Sequence, residues 1–334
     1  MDNVTHTLTG LMLARACAPS VPRAGLLMML AANAPDLDVV SGAFGAAAYL
    51  DYHRWLTHGV LLSPLMALGP VLLVWFLSRS TPFPWLRSWA WSLLAVLSHL
   101  LLDWTNVYGI RLLAPFSGRW FRLDTTHVID PWILAVLILA VAAPLLARLV
   151  GSEIGGGNKQ GPERGWALFA LLFVVFYDGG RLITHARAVA QLSSRIYAGG
   201  VADRVTALPH ALNPLRWTGV VEKTDFVVIL PVDLRTEFDP VSGRTFYRAG
   251  EASGWARKMG EADPTFQSLA RFSQIPFWRV VPLSDPDGSV RVELSDLRFG
   301  TPPDPGFVAA GTATPGGSLR GVTLSFGSVT KAFR

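Results

Sequence analysis

His6, Asp36, Asp38, His53, His58, His99 and Asp103 crowd into the first third of a 334-residue chain, in short clusters beside or inside apolar stretches. Imidazoles and carboxylates are the side chains that hold zinc and similar divalent ions. Ionisable groups in or near lipid are costly unless they pair, line a polar cavity or bind an ion. A membrane-embedded metal site is therefore the leading reading of these residues.

Each cluster has its own logic. In SHLLLDW, His99 and Asp103 are spaced i and i+4, which stacks both side chains on one helical face within reach of one cation. In NAPDLD, Pro35 ends an apolar run, and Asp36 and Asp38 project from a turn; the plain alternative is two solvated acids. HRWLTH places His53 and His58 around Arg54. That guanidinium offers a rigid fork to phosphate or carboxylate, or else reaches lipid headgroups beside Trp55. His6 stands at the mouth of a first helix, with Thr5 as a candidate N-cap. Farther on, Asp124, His127 and Asp130 precede another helix: Asp130 before Pro131 is a capping arrangement, and His127 is only an accessory ligand candidate. Asp178, Arg181 and His185 share a face of the last apolar helix, as an internal ion pair or with Arg181 turned to the site as an anion clamp.

The elements that must position these groups are membrane helices. Hydrophobic residues make up 51% of the chain and charged ones 16%, and the mean hydropathy is +0.36. Apolar runs fall near residues 4–18, 23–34, 57–77, 88–105, 130–150 and 165–187. A span needs about 20 apolar residues, so the third, fifth and sixth qualify and the fourth is close. The first two are expected to form a hairpin entering the bilayer partway. If successive helices reverse direction, every candidate ligand falls at one face of the bilayer. Arg15, Arg23, Arg79, Arg87, Arg148, Lys159 and Arg164 mark the other face, which predicts an extracytoplasmic metal face and C-terminal region. Arg54, Arg111, Arg119 and Arg122 dilute that bias.

The start MDNVTHTLTG lacks a basic leader, so no cleavable signal peptide is expected. Cys17, the single cysteine, excludes an intrachain disulfide and a Cys-rich zinc knuckle. Lys and Arg exceed Asp and Glu by 29 to 24 without a basic, aromatic-interleaved module, so nucleic acid is not an expected partner. GSEIGGGNKQGPERG reads as a flexible loop between the last two helices. After about residue 188, FVVILPVDL, RTFYRAG, WRVVPL, SVRVELSDLRFG and GVTLSFGSV read as short strands, and TFQSLARF as a helix among them. The expected fold is a mainly α membrane-embedded helical bundle, residues 1–187, followed by a smaller β-rich extramembrane domain, residues 188–334.

MDNVTHTLTG, APDLD, HRWLTH, SHLLLDWTNVYG with PFSGRW, and IDPW together resemble the YdjM-type membrane-bound proteins described as metal-dependent hydrolases, over residues 1–135 and more loosely beyond. The order of ligand types is also similar to zinc-dependent phospholipase C and related nucleases. These resemblances imply His6, Asp36, Asp38, His53, His58, His99 and Asp103 as ligands, though this chain lacks a second clear histidine-plus-acid helix for a trinuclear site. The resulting expectation is an integral protein of the bacterial inner membrane that binds one or two divalent ions, zinc by donor type, and hydrolyses a phosphoester or ester of a lipid or other amphiphile. Asp38 or Asp36 would be the general base, and Arg54 and Arg181 the substrate-binding groups. The alternative is a non-catalytic scaffold or lipid-binding protein with a structural metal. A transporter fits less well, because the lower halves of the third and fifth helices are uninterrupted apolar sequence.

Overall fold

The computed structural model describes residues 1–17, 19–78, 82–153, 163–248, 254–283 and 288–326. Helices α1 (Asn3–Cys17) and α2 (Ala24–Asn33) form the opening hairpin. Asp2, not Thr5, caps α1: its Oδ1 accepts from the amides of Val4 and Thr5 at 3.0 Å, and the Thr5 hydroxyl turns back to Asp2 Oδ2 at 2.6 Å. A 3-10 segment, Pro35–Phe44, and the short α3 (Ala46–Tyr52) follow.

Among the described residues, four stretches are long and apolar enough to cross a membrane: Val60–Ser78, Trp85–Thr105, Pro131–Val150 and Glu163–Ser193. The first is not one continuous helix. A 3-10 turn at Val60–Leu62 leads into α4 (Ser63–Met66) and then α5 (Leu68–Ser78). Pro64, which has no amide proton to donate, lies in the first turn of α4, where none is needed. The remaining spans belong to α6 (Trp85–Thr105), α7 (Pro131–Glu153) and α8 (Glu163–Ser193). Most of the loop expected between α7 and α8, together with Arg79 and Lys159, lies outside the described residues.

Small residues let the opening hairpin become the centre of this bundle. A Cβ at Gly10 would stand 2.4 Å from the Met28 carbonyl oxygen, and Ala14, Ala31 and Ala32 are buried in the same cluster as Met28. Close backbone approach gains van der Waals contact, which matters most where lipid removes the hydrophobic drive between helices. As a result α1 touches α2, α6, α7 and α8, and brings His6 to the middle of the bundle.

Antiparallel sheets occupy residues 196–326. A small ribbon pairs β1 (Ile196–Tyr197) with β2 (Gly200–Val201). One four-stranded sheet joins β3 (Arg204–Pro209), β4 (Arg216–Glu222), β5 (Phe226–Asp233) and β6 (Arg244–Tyr247) in sequence order. After α9 (Gly254–Ala262) and α10 (Pro264–Phe272), β7 (Pro276–Pro282), β8 (Val290–Asp296), β9 (Phe307–Ala313) and β10 (Leu319–Phe326) form the second. Phe266, Phe272 and Trp278 fill its core, and Leu50 and Tyr108 from the helical half join them. The helical half followed by β-rich structure is thus the architecture expected from the sequence.

Two ion pairs stand where the C-terminal region meets the helical half. Arg298 holds Asp296 at 2.6 Å and donates to the carbonyls of Val107 and Tyr108 at 2.9 Å. Asp51 meets Arg271 at 2.9 Å and Ser268 at 2.9 Å. The first pair is fully buried, at 0% exposure for both side chains, so Arg298→Met leaves a buried carboxylate uncompensated and should cost about 3–5 kcal/mol. In the second pair Arg271 is 55% exposed, and Arg271→Met should cost at most about 1 kcal/mol. Denaturant titration of the solubilised protein checks this ranking, and equal losses would refute it.

Candidate metal centre

His58 and His99 set the geometry of the site. His99, on α6, donates from Nδ1 to the Ala32 carbonyl at the end of α2, at 2.7 Å. His58 ends a 3-10 turn, Leu56–His58, and its Nδ1 lies 3.2 Å from Asp38 Oδ2 and 3.0 Å from the Thr57 hydroxyl. A histidine whose Nδ1–H is held by a carbonyl or carboxylate presents a lone pair at Nε2. The two Nε2 atoms face each other at 3.1 Å, both side chains being buried. Lone pairs that close repel unless a proton or a metal ion lies between them.

Two carboxylate oxygens complete the arrangement. Asp36 Oδ1 is 3.5 Å from His58 Nε2 and 3.6 Å from His99 Nε2, and Asp103 Oδ2 is 3.4 Å from each. An ion with bonds of about 2.0–2.1 Å to the corners of a tetrahedron sets those corners about 3.3–3.4 Å apart. Edges of 3.1 to 3.6 Å therefore fit such an ion. Asp103 Oδ2 and both ring nitrogens of His6 are buried without a hydrogen-bond partner. Buried polar atoms left without partners demand an explanation, and a cation held by the acceptors among them supplies one. Asp36, His58, His99 and Asp103 are thus a buried group that could hold a metal ion. His6 stacks on His99 with ring centroids 3.7 Å apart and lies 3.4 Å from Asp103 Oδ1.

Asp36 is shared with a second possible group, Asp36, Asp38 and His53. Asp38, however, is heavily engaged by the protein itself. Its Oδ1 meets His53 Nδ1 at 2.6 Å, and its Oδ2 accepts from the Thr57 hydroxyl at 2.6 Å and the Arg54 amide at 2.8 Å. Burial works against ionisation of both Asp36 and Asp38. The hydrogen bonds from His53 and His58 to Asp38, the closeness of the His58 and His99 rings to Asp36, and nearby positive charge outweigh it and hold both carboxyls well below the usual range. Both are anionic at neutral pH.

Arg54 ties the two groups together. Its backbone is left-handed, with φ of 58°, and its amide serves Asp38 while its guanidinium meets Asp103 Oδ1 at 3.0 Å. The guanidinium also donates to the Gly109 carbonyl at 3.2 Å and lies 4.4 Å from the centre of the Tyr108 ring. Arg54 is 3% exposed, so it is not an arm reaching to headgroups. Asn106 donates to Asp103 Oδ1 at 3.1 Å and accepts from the Tyr108 amide at 2.8 Å. The Met1 amino group contacts Asp103 as well.

The structure therefore gathers His6, Asp36, Asp38, His53, Arg54, His58, His99 and Asp103 into one locality. It does not bring Arg181 there. That guanidinium donates to the carbonyls of Thr125, at 2.7 Å, and Pro214, and lies 4.1 Å from the centre of the Trp217 ring, so its expected role as an anion clamp on the site is corrected. Nor is it paired with Asp178, whose buried Oδ1 lacks a hydrogen-bond partner. His127 is half-buried near Asp130 and His210, apart from the cluster, and Asp130 caps α7 through the amides of Trp132 and Ile133.

Comparison with known proteins adds the lineage. Residues 1–188 match the model of the YdjM inner membrane protein family. The chain belongs to this family. Every member of the cluster lies inside the YdjM match, and the sheet region lies beyond it. The chain is also 31% identical over 152 residues to the uncharacterized protein YfhP of Bacillus subtilis (strain 168), a stretch covering 42% of this chain. That match spans 46% of the relative's own length. No solved structure matches. The likeness to zinc-dependent phospholipase C is not shown by these matches.

Sequence reasoning missed Thr57, Asn106 and Tyr108. Thr57 and Asn106 stand in HRWLTH and DWTN, next to residues already singled out, and their amide and hydroxyl groups are what a buried carboxylate needs as partners. Elemental analysis of freshly purified protein should find divalent metal, and His99→Ala or Asp103→Asn should abolish its retention. Asp38→Asn, which disturbs a partner of a ligand, should weaken affinity by about 10–100-fold. Wild-type protein free of metal after purification in chelator-free buffer would count against the centre.

Proposed function

We propose that this YdjM-family protein is a membrane-bound metal-dependent hydrolase acting on a phosphoester or ester of a lipid or other amphiphile. The facing Nε2 atoms of His58 and His99, closed by two carboxylate oxygens, carry this reading. The mixed imidazole and carboxylate donors and the tetrahedral edge lengths favour zinc. A divalent ion there would supply Lewis-acid polarisation of the scissile bond and acidify water. His58, His99 and Asp103 are the proposed permanent holders, with His6 packed against them. Asp36, at 7% exposure the least enclosed of the four, is the proposed general base. Asp38, with its oxygens engaged, is assigned a positioning role on His53 and His58. Arg54 Nε, buried and without a hydrogen-bond partner, is the donor through which Arg54 would meet an anionic substrate group.

An amphiphile is favoured by the segment that carries the acids. Pro35–Phe44 turns Asp36 inward and leaves Leu37, Val40 and Phe44 at 63%, 66% and 84% exposure. Apolar surface of this kind is costly in water and suits the bilayer interface. The division into a metal-bearing helical unit, 1–187, and a covering unit, 188–334, belongs to the same proposal, as does an extracytoplasmic metal face. Arg15, Arg23, Arg87, Arg148 and Arg164 near the far ends of the helices support that orientation.

The second reading is a scaffold with a structural ion, and the complete burial of His58, His99 and Asp103 is the observation in its favour. Turnover separates the two. With phosphodiester and ester substrates presented in mixed micelles, wild type should hydrolyse one class. Asp36→Asn should retain fold and lose about 10²–10⁴-fold in kcat. Absence of turnover on all substrates, with metal-dependent melting retained, would favour the scaffold. For orientation, Ser242→Cys in a Cys17→Ser background should react with impermeant maleimide in intact spheroplasts; labelling only after lysis would reverse the proposed sidedness.

A further inference from the structure

A second polar cavity lies away from the metal centre, where the helices meet the first sheet. It encloses about 450 Å³ between the Arg119–Asp124 loop, the last turns of α8 and strand β3. Arg119, Arg122 and Arg204 line it against a single lining carboxylate, Asp124. Arg122 is committed to Asp124 at 2.6 Å, so the surplus charge comes from Arg119 and Arg204. Arg204 donates to the Gln274 carbonyl at 3.1 Å and stands 3.7 Å from Glu222, yet remains 52% exposed. His185 lines the cavity from α8, and its Nε2 is buried without a hydrogen-bond partner. Trp104, Trp120 and Phe121 supply apolar wall.

Its depth follows from helix length. At a rise of about 1.5 Å per residue, the 31 residues of α8 extend about 46 Å, while a hydrocarbon core is about 30 Å thick. An untilted α8 would project about ten residues beyond the core, and His185 and Val189 fall within its final turns. Trp104 at the end of α6 and Trp132 at the start of α7 stand where interfacial aromatics belong. With α8 placed in this way, the cavity would open at headgroup level.

We propose that this cavity binds a phosphate-bearing anion, with Arg119 and Arg204 as the principal charge partners and His185 Nε2, whose ring is already hydrogen-bonded to the Ala207 backbone through its other nitrogen, as an acceptor for a hydroxyl of the bound molecule. Guanidinium forks match phosphate oxygens in geometry as well as charge. The tryptophans and Phe121 accept the carbon skeleton of an ester. The phosphate can belong to an anionic lipid headgroup or be free in solution, and the experiment separates these sources.

The test uses the full chain in neutral detergent, titrated calorimetrically with dioctanoyl-phosphatidylglycerol and, separately, with inorganic phosphate. Wild type should bind one equivalent of at least one probe. Lipid binding that phosphate does not displace identifies the headgroup, and phosphate binding alone identifies the free anion. Arg119→Gln combined with Arg204→Gln should weaken binding by about tenfold or more, the worth of lost charge-assisted hydrogen bonds. Metal content should be unchanged in that variant, which keeps this result separate from the hydrolase reading. Neither probe binding, or the double variant binding as wild type with an unaltered melting profile, overturns the proposal. So does loss of binding in Arg54→Lys with the cavity intact, which would place the anion at the metal centre.

Discussion

Two imidazole nitrogens held 3.1 Å apart in a buried pocket are the constraint on which the rest of this structure depends. Neither ring is free to turn away, since the Ala32 carbonyl holds one and Asp38 with Thr57 holds the other. The protein therefore fixes the direction of both lone pairs before anything binds. Such preorganisation costs conformational freedom at several places at once: the end of α2, the 3-10 segment after it, and the loop carrying His53 to His58. A site of this kind is rigid because its supporting hydrogen bonds come from different elements, and displacing any one element misdirects a ring.

The sheet region participates in that rigidity although it lies outside the family match. Arg298 reaches the carbonyls of Val107 and Tyr108, and Gln274 also donates to the Tyr108 carbonyl at 3.2 Å. Tyr108 in turn lies against the Arg54 guanidinium, and its amide fixes Asn106, which serves Asp103. Contacts thus run without interruption from β8 to a carboxylate of the cluster. The apolar share of the same junction, Leu50 and Tyr108 among Phe266, Phe272 and Trp278, makes it a packed interface in which such hydrogen bonds retain their geometry.

What the sequence made legible was periodic or local. The i, i+4 spacing of His99 and Asp103 is a property of any helix, and the strands rich in Val, Ile and Phe announce themselves. Strand β9 does not, because FVAAGTA is dominated by Ala and Gly, which carry little β preference, and its pairing with β8 and β10 supplies what composition lacks. The interrupted helix at Val60–Ser78 was likewise hidden, since an apolar run reads as continuous whatever its backbone does. Arg181 was misjudged for a related reason. Spacing gives a residue's helical face but not its partner, and here carbonyls of Thr125 and Pro214 claim the guanidinium. The different standing of Asp36 and Asp38 was equally out of reach, because it depends on which groups from residues 53–58 arrive at each carboxylate.

Arg54 bears most directly on whether the cluster is more than a fastening. A non-glycine residue at φ of 58° is sparsely populated and costs about 1–3 kcal/mol. A purely structural ion pair would need only the guanidinium, which an ordinary backbone could deliver. The left-handed turn lets the same residue offer its amide to Asp38 and its side chain to Asp103, linking the two carboxylates. This coupling of the two carboxylates, with the guanidinium Nε left unpartnered, is the arrangement on which the proposed hydrolase reading of Arg54 rests.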